Sequence, residues 1–594
     1  MKPTDIQNPE YFHKVVDCQY ACPAHTPVPE YIRLIAQGKY TEAYMINWDS
    51  NVFPGVLGRT CDRPCEPACR RGRVEEEPVA ICRLKRVAAD NKGEVKSLMP
   101  QGPFASNGKK IALIGGGPSS LTVARDLAPL GYEIHLFDEQ FAGGGFMRSQ
   151  IPSFRLPESV LNDEVNYILD MGIHTHFKTY VSSLKELLQQ GYDAVFVGTG
   201  APRGRDLDLP GRKEGDANIH IGINWLSNVA FEHTHTIGKK VIVLGGGNTA
   251  MDCCRTARRL GGEEVKVLVR SPFEEMKASP WEKEDAMHED IPILDNHVPK
   301  SYVIREGKLA GMEFEKVKAV YDDKGKRQLV PTGEPLVFVE ANDVLVAVGQ
   351  ENAFPWIERD LGIEFNQWGL PVLNETTFQS TLPAVFFGGD AALGPKNVIT
   401  AVAQGHQAAI SIDLFCQHKD LNDRPSPMVN LYSMKMGIHE WAYDSEVAID
   451  KRYVVPQAEK KQTLSDRKKE VELGFDHLTG YKEAERCLNC DVQTVFTHNK
   501  CIECDACMDI CPTSCISFVP NQEEEAALRQ TLKVPATNLT QDLYVSDILT
   551  TGRVMVKDEN VCLHCGLCAE RCPTSAWDMQ QFYYNTTKAG KTCR

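Results

Sequence analysis

The chain has 594 residues, too many for one hydrophobic core, so we expect about three to five domains. Its formal net charge of −15 argues against a nucleic-acid-binding surface. No apolar run is long enough to span a bilayer and no secretory signal is visible, which predicts a cytoplasmic protein without a membrane span. The 21 cysteines are clustered, six before residue 83 and twelve after residue 486. Without an export signal, such clusters indicate metal binding rather than disulfides.

The first 105 residues predict a small helical domain whose loops carry six cysteines. One group of four supplies enough thiolates for one iron–sulfur cluster. Its members are Cys61, Cys65, Cys69 and Cys82. The remaining pair, Cys18 and Cys22, supplies only two thiolates, so it is either half of a site or two free buried thiols.

A dinucleotide-binding layout follows the helical domain. Residues 111–114 form a short apolar strand, three glycines turn the chain, a helix covers residues 119–130, and a second strand ends on Asp138. Glycines let the backbone approach a pyrophosphate at a helix N-terminus, and the acid accepts hydrogen bonds from a ribose. An ordinary tight turn between strand and helix is the alternative. The predicted binding residues are Gly115, Gly117, Pro118, Ser119, Ser120 and Asp138.

A second unit of the same kind begins near residue 240. Its strand leads into three glycines and a helix with Ala250 at the third small position, and the next strand ends on Arg270 rather than on an acid. An arginine suits a 2′-phosphate, which favours NADPH over NADH, although a solvated arginine at a strand end is the alternative. The predicted binding residues are Gly245, Gly247, Asn248, Thr249 and Arg270. Cys253 and Cys254 follow on the helix without partner spacing and are interpreted as packing residues.

Several other segments bring backbone close to a cofactor. A glycine-rich loop with basic side chains at 141–157 suits a position over a pyrophosphate, and strands near 192–200 and 342–350 end on glycine. A Gly-Gly-Asp turn then precedes a helix near residue 397, whose N-terminal N–H groups could face a flavin carbonyl. The predicted binding residues are Gly145, Met147, Arg148, Thr199, Gly200, Gly349, Gly389, Asp390 and Val398.

The last hundred residues carry the most specific pattern, a C-x2-C-x2-C-x3-C-P run that occurs twice. In such runs the fourth cysteine ligates the cluster of the other run, and structural zinc is the alternative. One predicted set is Cys501, Cys504, Cys507 and Cys572, and the other is Cys562, Cys565, Cys568 and Cys511. The segment NQEEEAALRQ between the runs predicts an inserted helix, and Cys515 falls outside the ligand pattern.

From these motifs the chain resembles the small-subunit (beta-chain) family of glutamate synthase over about residues 15 to 415. The resemblance rests on CDRPCEPACRRG, GGGPSSL, GGGFMRSQIPSFRLP, VLGGGNTAMD and FGGDAALGP, and the remainder resembles a fused ferredoxin module. It implies FAD at the first glycine loop and NADP (or NAD) at the second. The implied fold is α/β, with two interleaved doubly wound nucleotide-binding domains, an N-terminal α-helical Fe–S domain and a C-terminal α+β ferredoxin-like domain.

The domain boundaries that follow are 1–105 for the helical Fe–S domain, 106–233 and 350–416 for the two parts of the FAD domain, 234–349 for the NAD(P)H domain, 417–490 for a connector, and 491–594 for the ferredoxin-like domain.

The chain departs from this family at its first cysteine pair. Family members place an Arg-Cys-Leu-x-Cys segment shortly before the pair, whereas here that segment is residues 486–490. We therefore predict that the two ends of the chain build one cluster together, from Cys18, Cys22, Cys487 and Cys490. Four [4Fe–4S] clusters would then use 16 of the 21 cysteines.

The predicted function is electron transfer between NAD(P)H and ferredoxin or a partner redox enzyme subunit, within a hetero-oligomer. A hydride would pass to FAD and single electrons would leave through the clusters, so no catalytic side chain is predicted. The alternatives are a non-catalytic relay or assembly subunit and the small subunit of glutamate synthase.

Overall fold

The computed structural model describes residues 1–75, 77–100, 105–437, 440–443, 447–532 and 542–590, so Cys593 lies outside the described residues. The N-terminal part is helical, as predicted. Its helices are α1 (Pro9–Val15), α2 (Asp17–Ala21), α3 (Val28–Ala36), α4 (Tyr40–Asn51), α5 (Pro54–Thr60), α6 (Gly72–Glu75) and α7 (Ile81–Asn91). Apolar side chains of α3, α5 and α7 are buried in one core that continues into the first nucleotide-binding domain.

The first nucleotide-binding domain contains a five-stranded parallel sheet. Its elements before the second unit are β1 (Lys110–Ile114), α8 (Pro118–Leu127), β2 (Glu133–Asp138), α9 (Phe146–Ser149), α10 (Glu158–Leu169), β3 (His174–Phe177), α11 (Leu184–Leu188) and β4 (Ala194–Val197), followed by β5 (Arg203–Gly204). The residues of β4, and all of β1 except the first, are buried, which is why these strands are continuous apolar runs.

The second unit has its own five-stranded parallel sheet and an antiparallel sheet beside it. Its elements are β6 (Ile219–Ile221), α12 (Gly222–Ala230), β7 (Lys240–Leu244), α13 (Asn248–Arg259), β8 (Glu264–Leu268), α14 (Pro280–His288), β9 (Ile293–Leu294), β10 (His297–Arg305), β11 (Lys308–Tyr321), β12 (Arg327–Pro331), β13 (Val337–Glu340), β14 (Asp343–Val346) and β15 (Gln350–Glu351). The parallel order is β6-β14-β7-β8-β9, and β11 pairs with β10, β12 and β13. The sequence motifs do not predict this antiparallel sheet.

The chain then returns to the first domain through β16 (Val385–Phe387), α15 (Asp390–Leu393) and α16 (Val398–Cys416). The first sheet has the order β16-β4-β1-β2-β3, so its edge strand comes after the whole second unit. The two doubly wound domains are therefore interleaved, which confirms the predicted fold class.

The C-terminal part is α+β, as predicted. Its elements are β17 (Met428–Ser433), α17 (Lys460–Ser465), α18 (His477–Ala484), β18 (Val492–Phe496), α19 (Ala506–Ile510), β19 (Ile516–Pro520), α20 (Glu524–Gln530), β20 (Leu543–Val545), β21 (Arg553–Asp558), α21 (Leu567–Arg571) and β22 (Trp577–Asn585). The antiparallel orders are β17-β22-β18 and β19-β21-β20. β17 comes from the predicted connector, and α20 lies in the segment predicted as an inserted helix.

The two ends of the chain contact each other. The backbone N–H of Thr4 donates to the carbonyl oxygen of Val545 at 2.9 Å, and the Tyr11 hydroxyl donates to Glu559 Oε1 at 2.7 Å. Arg33 on α3 forms an ion pair with Asp491, which follows Cys490. Among the described residues, no helix is both long and apolar enough to cross a bilayer.

Candidate functional site: a nucleotide cavity and four cysteine groups

The first glycine loop holds the acidic side chain at the end of β2. Gly115 has φ +91°, and a Cβ there would lie 2.7 Å from the carbonyl oxygen of Gly198, so the turn requires glycine. Asp138 accepts backbone N–H bonds from Gly116 at 2.5 Å and from Gln140 at 2.7 Å. Burial raises the pKa of Asp138, although both hydrogen bonds oppose this shift. A carboxylate fixed in this way retains lone pairs for a ribose hydroxyl.

One cavity of about 1110 Å³ joins the two glycine loops. Small-molecule sites usually measure about 300–1,000 Å³, so this volume suits parts of two dinucleotides. The predicted residues that line it are Gly115, Gly117, Pro118, Ser119, Asp138, Gly145, Met147, Thr199, Gly200, Gly245, Gly247, Asn248, Thr249, Arg270, Gly349, Gly389, Asp390 and Val398.

Two predicted residues do not line this cavity. Ser120 is buried against the end of β4, where a Cβ on Gly198 would lie 2.2 Å from its hydroxyl oxygen. Arg148 turns into its own loop, where Nε donates to the Gly143 carbonyl oxygen at 2.8 Å and Nη2 donates to Asn162 at 2.7 Å. The prediction that this loop places its basic side chains over a pyrophosphate therefore does not hold for Arg148. Its guanidinium is already bound by acceptors of the protein.

Arg155, from the same loop, instead connects the two nucleotide-binding domains. Its Nη1 donates to Asp252 on α13 at 2.6 Å, and its Nη2 pairs with Glu282 on α14. Burial raises the pKa of Asp252 to about 6, although the charge of Arg155 opposes this shift. This buried ion pair fixes the second domain against the loop that closes the first.

The second glycine loop is equally tight. Gly245 has φ +134°, and a Cβ there would lie 2.1 Å from the carbonyl oxygen of Ala347. Asn248 begins α13, and its Oδ1 accepts the Ser279 backbone N–H at 2.8 Å. The amide of Asn248 also donates to Asp62 Oδ1 at 3.3 Å, so the helical domain reaches the nucleotide cavity directly after Cys61.

A basic cluster lies at the end of β8. Arg270, Lys277 and Arg327 all line the cavity. Arg327 forms an ion pair with Glu275, whereas Arg270 is exposed. Sequence reasoning identified Arg270 from the strand end but missed Lys277 and Arg327, which later segments bring to the same place. Guanidinium and ammonium groups of this kind can bind a 2′-phosphate.

The N-terminal cysteines form one group around the start of α7. Interactions with the thiols of Cys61 and Cys65 lower the pKa of Cys82, and the buried ammonium of Lys85 interacts electrostatically with these three cysteines and with Cys22. This first group is therefore Cys22, Cys61, Cys65 and Cys82.

A second group combines both ends of the chain. Cys18 interacts electrostatically with Cys69, Cys490 and Cys487, and Cys487 interacts with Cys490 and Cys69. This second group is therefore Cys18, Cys69, Cys487 and Cys490.

These groups correct the predicted sets by exchanging two cysteines. Cys22, predicted with Cys18, belongs to the first group, and Cys69, predicted with Cys82, belongs to the second. Cys22 is the C-cap of the one-turn helix α2 and has extended backbone angles, φ −77° and ψ 122°. Cys18 lies within the helix, so the two cysteines leave the chain from different backbone conformations, and their neighbours belong to different groups. A spacing of three residues does not decide which of two neighbouring sites receives each thiol.

The C-terminal cysteines form two further groups, in the crossed combination. Cys501 interacts electrostatically with Cys572 and Cys504, and Cys507 interacts with Cys501 and Cys572. The other set lines one small cavity together with Cys515 and Lys557. Its members are Cys511, Cys562, Cys565 and Cys568.

The four groups fit iron–sulfur clusters chemically. None of the twenty cysteines in the described ranges forms a disulfide. Burial raises the pKa of Cys18 and of Cys568, so these sulfurs become thiolates readily only beside a cation. Cys253 and Cys254 are fully buried in the core of the second domain, as their interpretation as packing residues requires.

These features define a flavin- and pyridine-nucleotide-binding oxidoreductase that carries iron–sulfur domains at both ends. The chain belongs to the pyridine nucleotide-disulphide oxidoreductase family, whose sequence profile matches residues 109–405. The profile of dihydropyrimidine dehydrogenase domain II with a 4Fe-4S cluster matches residues 12–97, and that of the 4Fe-4S dicluster domain matches residues 500–576.

Characterised relatives agree with this assignment. The chain is 35% identical over 504 residues to the beta subunit of the NADP(+)-dependent formate dehydrogenase of Moorella thermoacetica, covering 80% of this chain and 70% of that one. It is 31% identical over 523 residues to the beta subunit of the NADPH-Fe(3+) oxidoreductase of Geobacter sulfurreducens, covering 82% and 77%. It is 30% identical over 424 residues to the small chain of glutamate synthase [NADPH] of Azospirillum brasilense, covering 68% and 86%. The predicted resemblance and the prediction of an NAD(P)H-dependent flavin and iron–sulfur oxidoreductase are confirmed.

Proposed function

We propose that this chain is the NADPH-oxidising subunit of a larger redox enzyme and delivers single electrons to ferredoxin or to a partner redox subunit through four [4Fe–4S] clusters. The observation that carries the proposal is the contact between the nucleotide cavity and the first cysteine group, through Asn248 and Asp62. The named relatives are themselves subunits of such enzymes, which supports a hetero-oligomer.

The residues of the first loop and of α16 suit FAD. Asp138 would hold the ribose, and the N-terminus of α16 at Val398 would face the flavin ring. The Thr199 hydroxyl oxygen is buried without a hydrogen-bond partner among the described residues, which suits a ligand contact. Burial raises the pKa of Asp390 to about 6, and its carboxyl already accepts the Lys396 N–H at 2.9 Å. When bound, FAD supplies the exchange of one hydride for two single electrons.

The cysteine groups suit a path that leads away from the cavity. The first group lies beside Asp62, and Cys18 in α2 and Cys22 at the C-cap of α2 belong to successive groups. At the far end, Cys504 is exposed. Electrons would leave at this exposed end, where a partner can approach.

Anaerobic purification of the full chain tests the proposal. We expect one FAD and about 16 iron atoms per chain, and reduction of an artificial dye with NADPH. Copurification under the same conditions should bring the redox partner. Absence of flavin, or a flavin-loaded chain that reduces no dye, would favour a non-catalytic relay subunit instead.

Arg270→Ala tests the choice of nucleotide. A charge-assisted hydrogen bond contributes about 1.5–3 kcal/mol, so KM for NADPH should rise about 10-fold to 100-fold while KM for NADH changes little. Lys266→Ala, on β8 shortly before Arg270 but outside the cavity lining, is the matched control. Equal increases for the two nucleotides would contradict a 2′-phosphate site at Arg270.

A further inference from the structure

One buried arginine contacts both cysteine-bearing ends of the chain. Arg70 directly follows Cys69 and is only 3% exposed. Its Nη1 donates to the carbonyl oxygens of Glu559 and Cys562, each at 2.7 Å. Its Nη2 donates to the carbonyl oxygen of Val15 at 3.0 Å. The guanidinium therefore bonds the backbone beside cysteines of two different groups.

The surrounding charges place Arg70 between these groups. Its Nε donates to Asp17 at 2.8 Å, beside Cys18. It also interacts electrostatically with Cys490 of the second group and with Cys562 of the C-terminal group. A guanidinium stays charged at any pH that a protein tolerates, so this positive charge is permanent.

His564 makes a second connection at the same place. Its Nδ1 lies 3.2 Å from the carbonyl oxygen of Cys490, which can only accept, so Nδ1 carries a proton. The other ring nitrogen lies 3.3 Å from Arg70 Nη1. Both side chains are buried, so the two cysteine segments meet without intervening solvent-exposed groups.

We propose that Arg70 joins the group of Cys18, Cys69, Cys487 and Cys490 to the group of Cys511, Cys562, Cys565 and Cys568, and that its charge raises the reduction potential of the clusters in both. The inference rests on the proposed function, since it assumes clusters at both groups. A nearby fixed positive charge stabilises an added electron, and charge and hydrogen bonding around the sulfurs set cluster potentials. An electron that crosses here oxidises one cluster and reduces the other without making or breaking a bond, and NADPH is its source.

The test is an EPR-monitored redox titration of the purified full chain with dithionite and mediators. In Arg70→Gln we expect the reduction equilibrium of two of the four clusters to become about tenfold less favourable, which is about 59 mV for one electron. The other two clusters should keep their potentials. Arg70→Lys keeps the charge and should restore both potentials to within about twofold.

Arg73→Gln is the matched control, because Arg73 also bonds Asp17 and the backbone of Asn560 but is exposed. Unchanged potentials in an iron-replete Arg70→Gln variant would overturn the inference. If that variant loses iron, Asp17→Asn decides. It leaves the charge of Arg70 without its carboxylate, so the same two potentials should rise, and unchanged potentials would overturn the inference.

The titration needs no NADPH, so its result is separate from the proposed function. A chain with four titratable clusters that NADPH cannot reduce would defeat the proposed function alone. A chain that NADPH reduces, with potentials that ignore Arg70, would defeat this inference alone.

Discussion

The two iron–sulfur regions of this chain are assembled in different ways. In the C-terminal region, all eight cysteines of the two groups lie between residues 501 and 572, and each run supplies the fourth cysteine of the other group. In the N-terminal region, one group is complete by residue 82, but the other takes Cys487 and Cys490 from the far end of the sequence. The difference shows that one cysteine group depends on contacts between distant segments while its neighbour does not.

Buried polar contacts anchor the distant segment. Arg486 is fully buried and donates to the carbonyl oxygens of Glu77 at 2.8 Å and of Asp450 at 2.9 Å. The carbonyl oxygen of Arg486 accepts from Arg71 at 3.1 Å. Cys487 is therefore placed by hydrogen bonds to the helical domain, and not by spacing within a local motif.

The largest expected effect follows from replacing both Cys487 and Cys490 with serine. Iron should fall from about 16 to about 12 per chain, because one group loses half its ligands while the C-terminal groups keep theirs. Iron analysis and EPR measure the loss. Cys416→Ser is the control, since Cys416 is buried in α16 outside the four groups.

Single variants sharpen this result. Cys69→Ser should remove the same EPR signal as the double variant, whereas Cys82→Ser should remove a different one. Unchanged iron in the double variant would refute a shared site, and loss of one common signal in both single variants would refute the grouping.

A smaller effect is expected from Arg486→Met. It removes the cation 2.7 Å from Glu483, whose side chain is fully buried. Breaking a buried pair in this way costs about 3–5 kcal/mol in the free energy of unfolding, which urea unfolding under anaerobic conditions measures.

The matched variant lies in the C-terminal region. Arg553 pairs with Glu503 at 3.0 Å, but its side chain is 28% exposed. Arg553→Met should therefore cost only about 1 kcal/mol or less. If the two variants lost the same free energy of unfolding, the N-terminal region would not depend more strongly on buried contacts than the C-terminal region does.

The smallest effect concerns how the helical domain is attached to the flavin domain. Glu164 on α10 accepts backbone N–H bonds from Gly55 at 2.6 Å and Val56 at 3.0 Å. Burial raises its pKa from 4.5 to about 7, although these hydrogen bonds oppose the shift. The folded state therefore binds this proton more tightly than the unfolded chain does. Its stabilising contribution is present below about pH 4.5 and is lost as the pH rises through about 7.

In Glu164→Gln, the change in the free energy of unfolding between about pH 5 and about pH 8 should be smaller than in the wild type by about 1–3 kcal/mol. Urea unfolding at about pH 5 and about pH 8 measures it, as the difference between variant and wild type. Glu158→Gln, at the exposed start of the same helix, should keep the wild-type dependence. If the free energy of unfolding of Glu164→Gln changed with pH as it does in the wild type, the Glu164 carboxyl would not be the group responsible for this pH dependence.

Local patterns predicted much of the site. Gly115, Gly245 and Asp138 were identified because a tight turn and a strand end need those residue types within a few positions. The C-terminal cysteine sets were predicted because their crossed combination follows from the spacing of two adjacent runs. Arg148 was misplaced because the acceptors that engage it, Gly143 and Asn162, become its neighbours only when the loop folds.

Residue types and their order already indicate the chemistry of this protein, through two glycine-rich turns of the nucleotide-binding kind and sixteen clustered thiols. Packing decides how the thiols are shared, because Cys22 and Cys69 belong to groups that adjacent helices and a distant segment complete. It also decided that Arg70 lies between two groups, since its partners Val15 and Cys562 come from opposite ends of the chain. Spacing describes only the local backbone, whereas the burial of charges and thiols depends on every segment that packs around them.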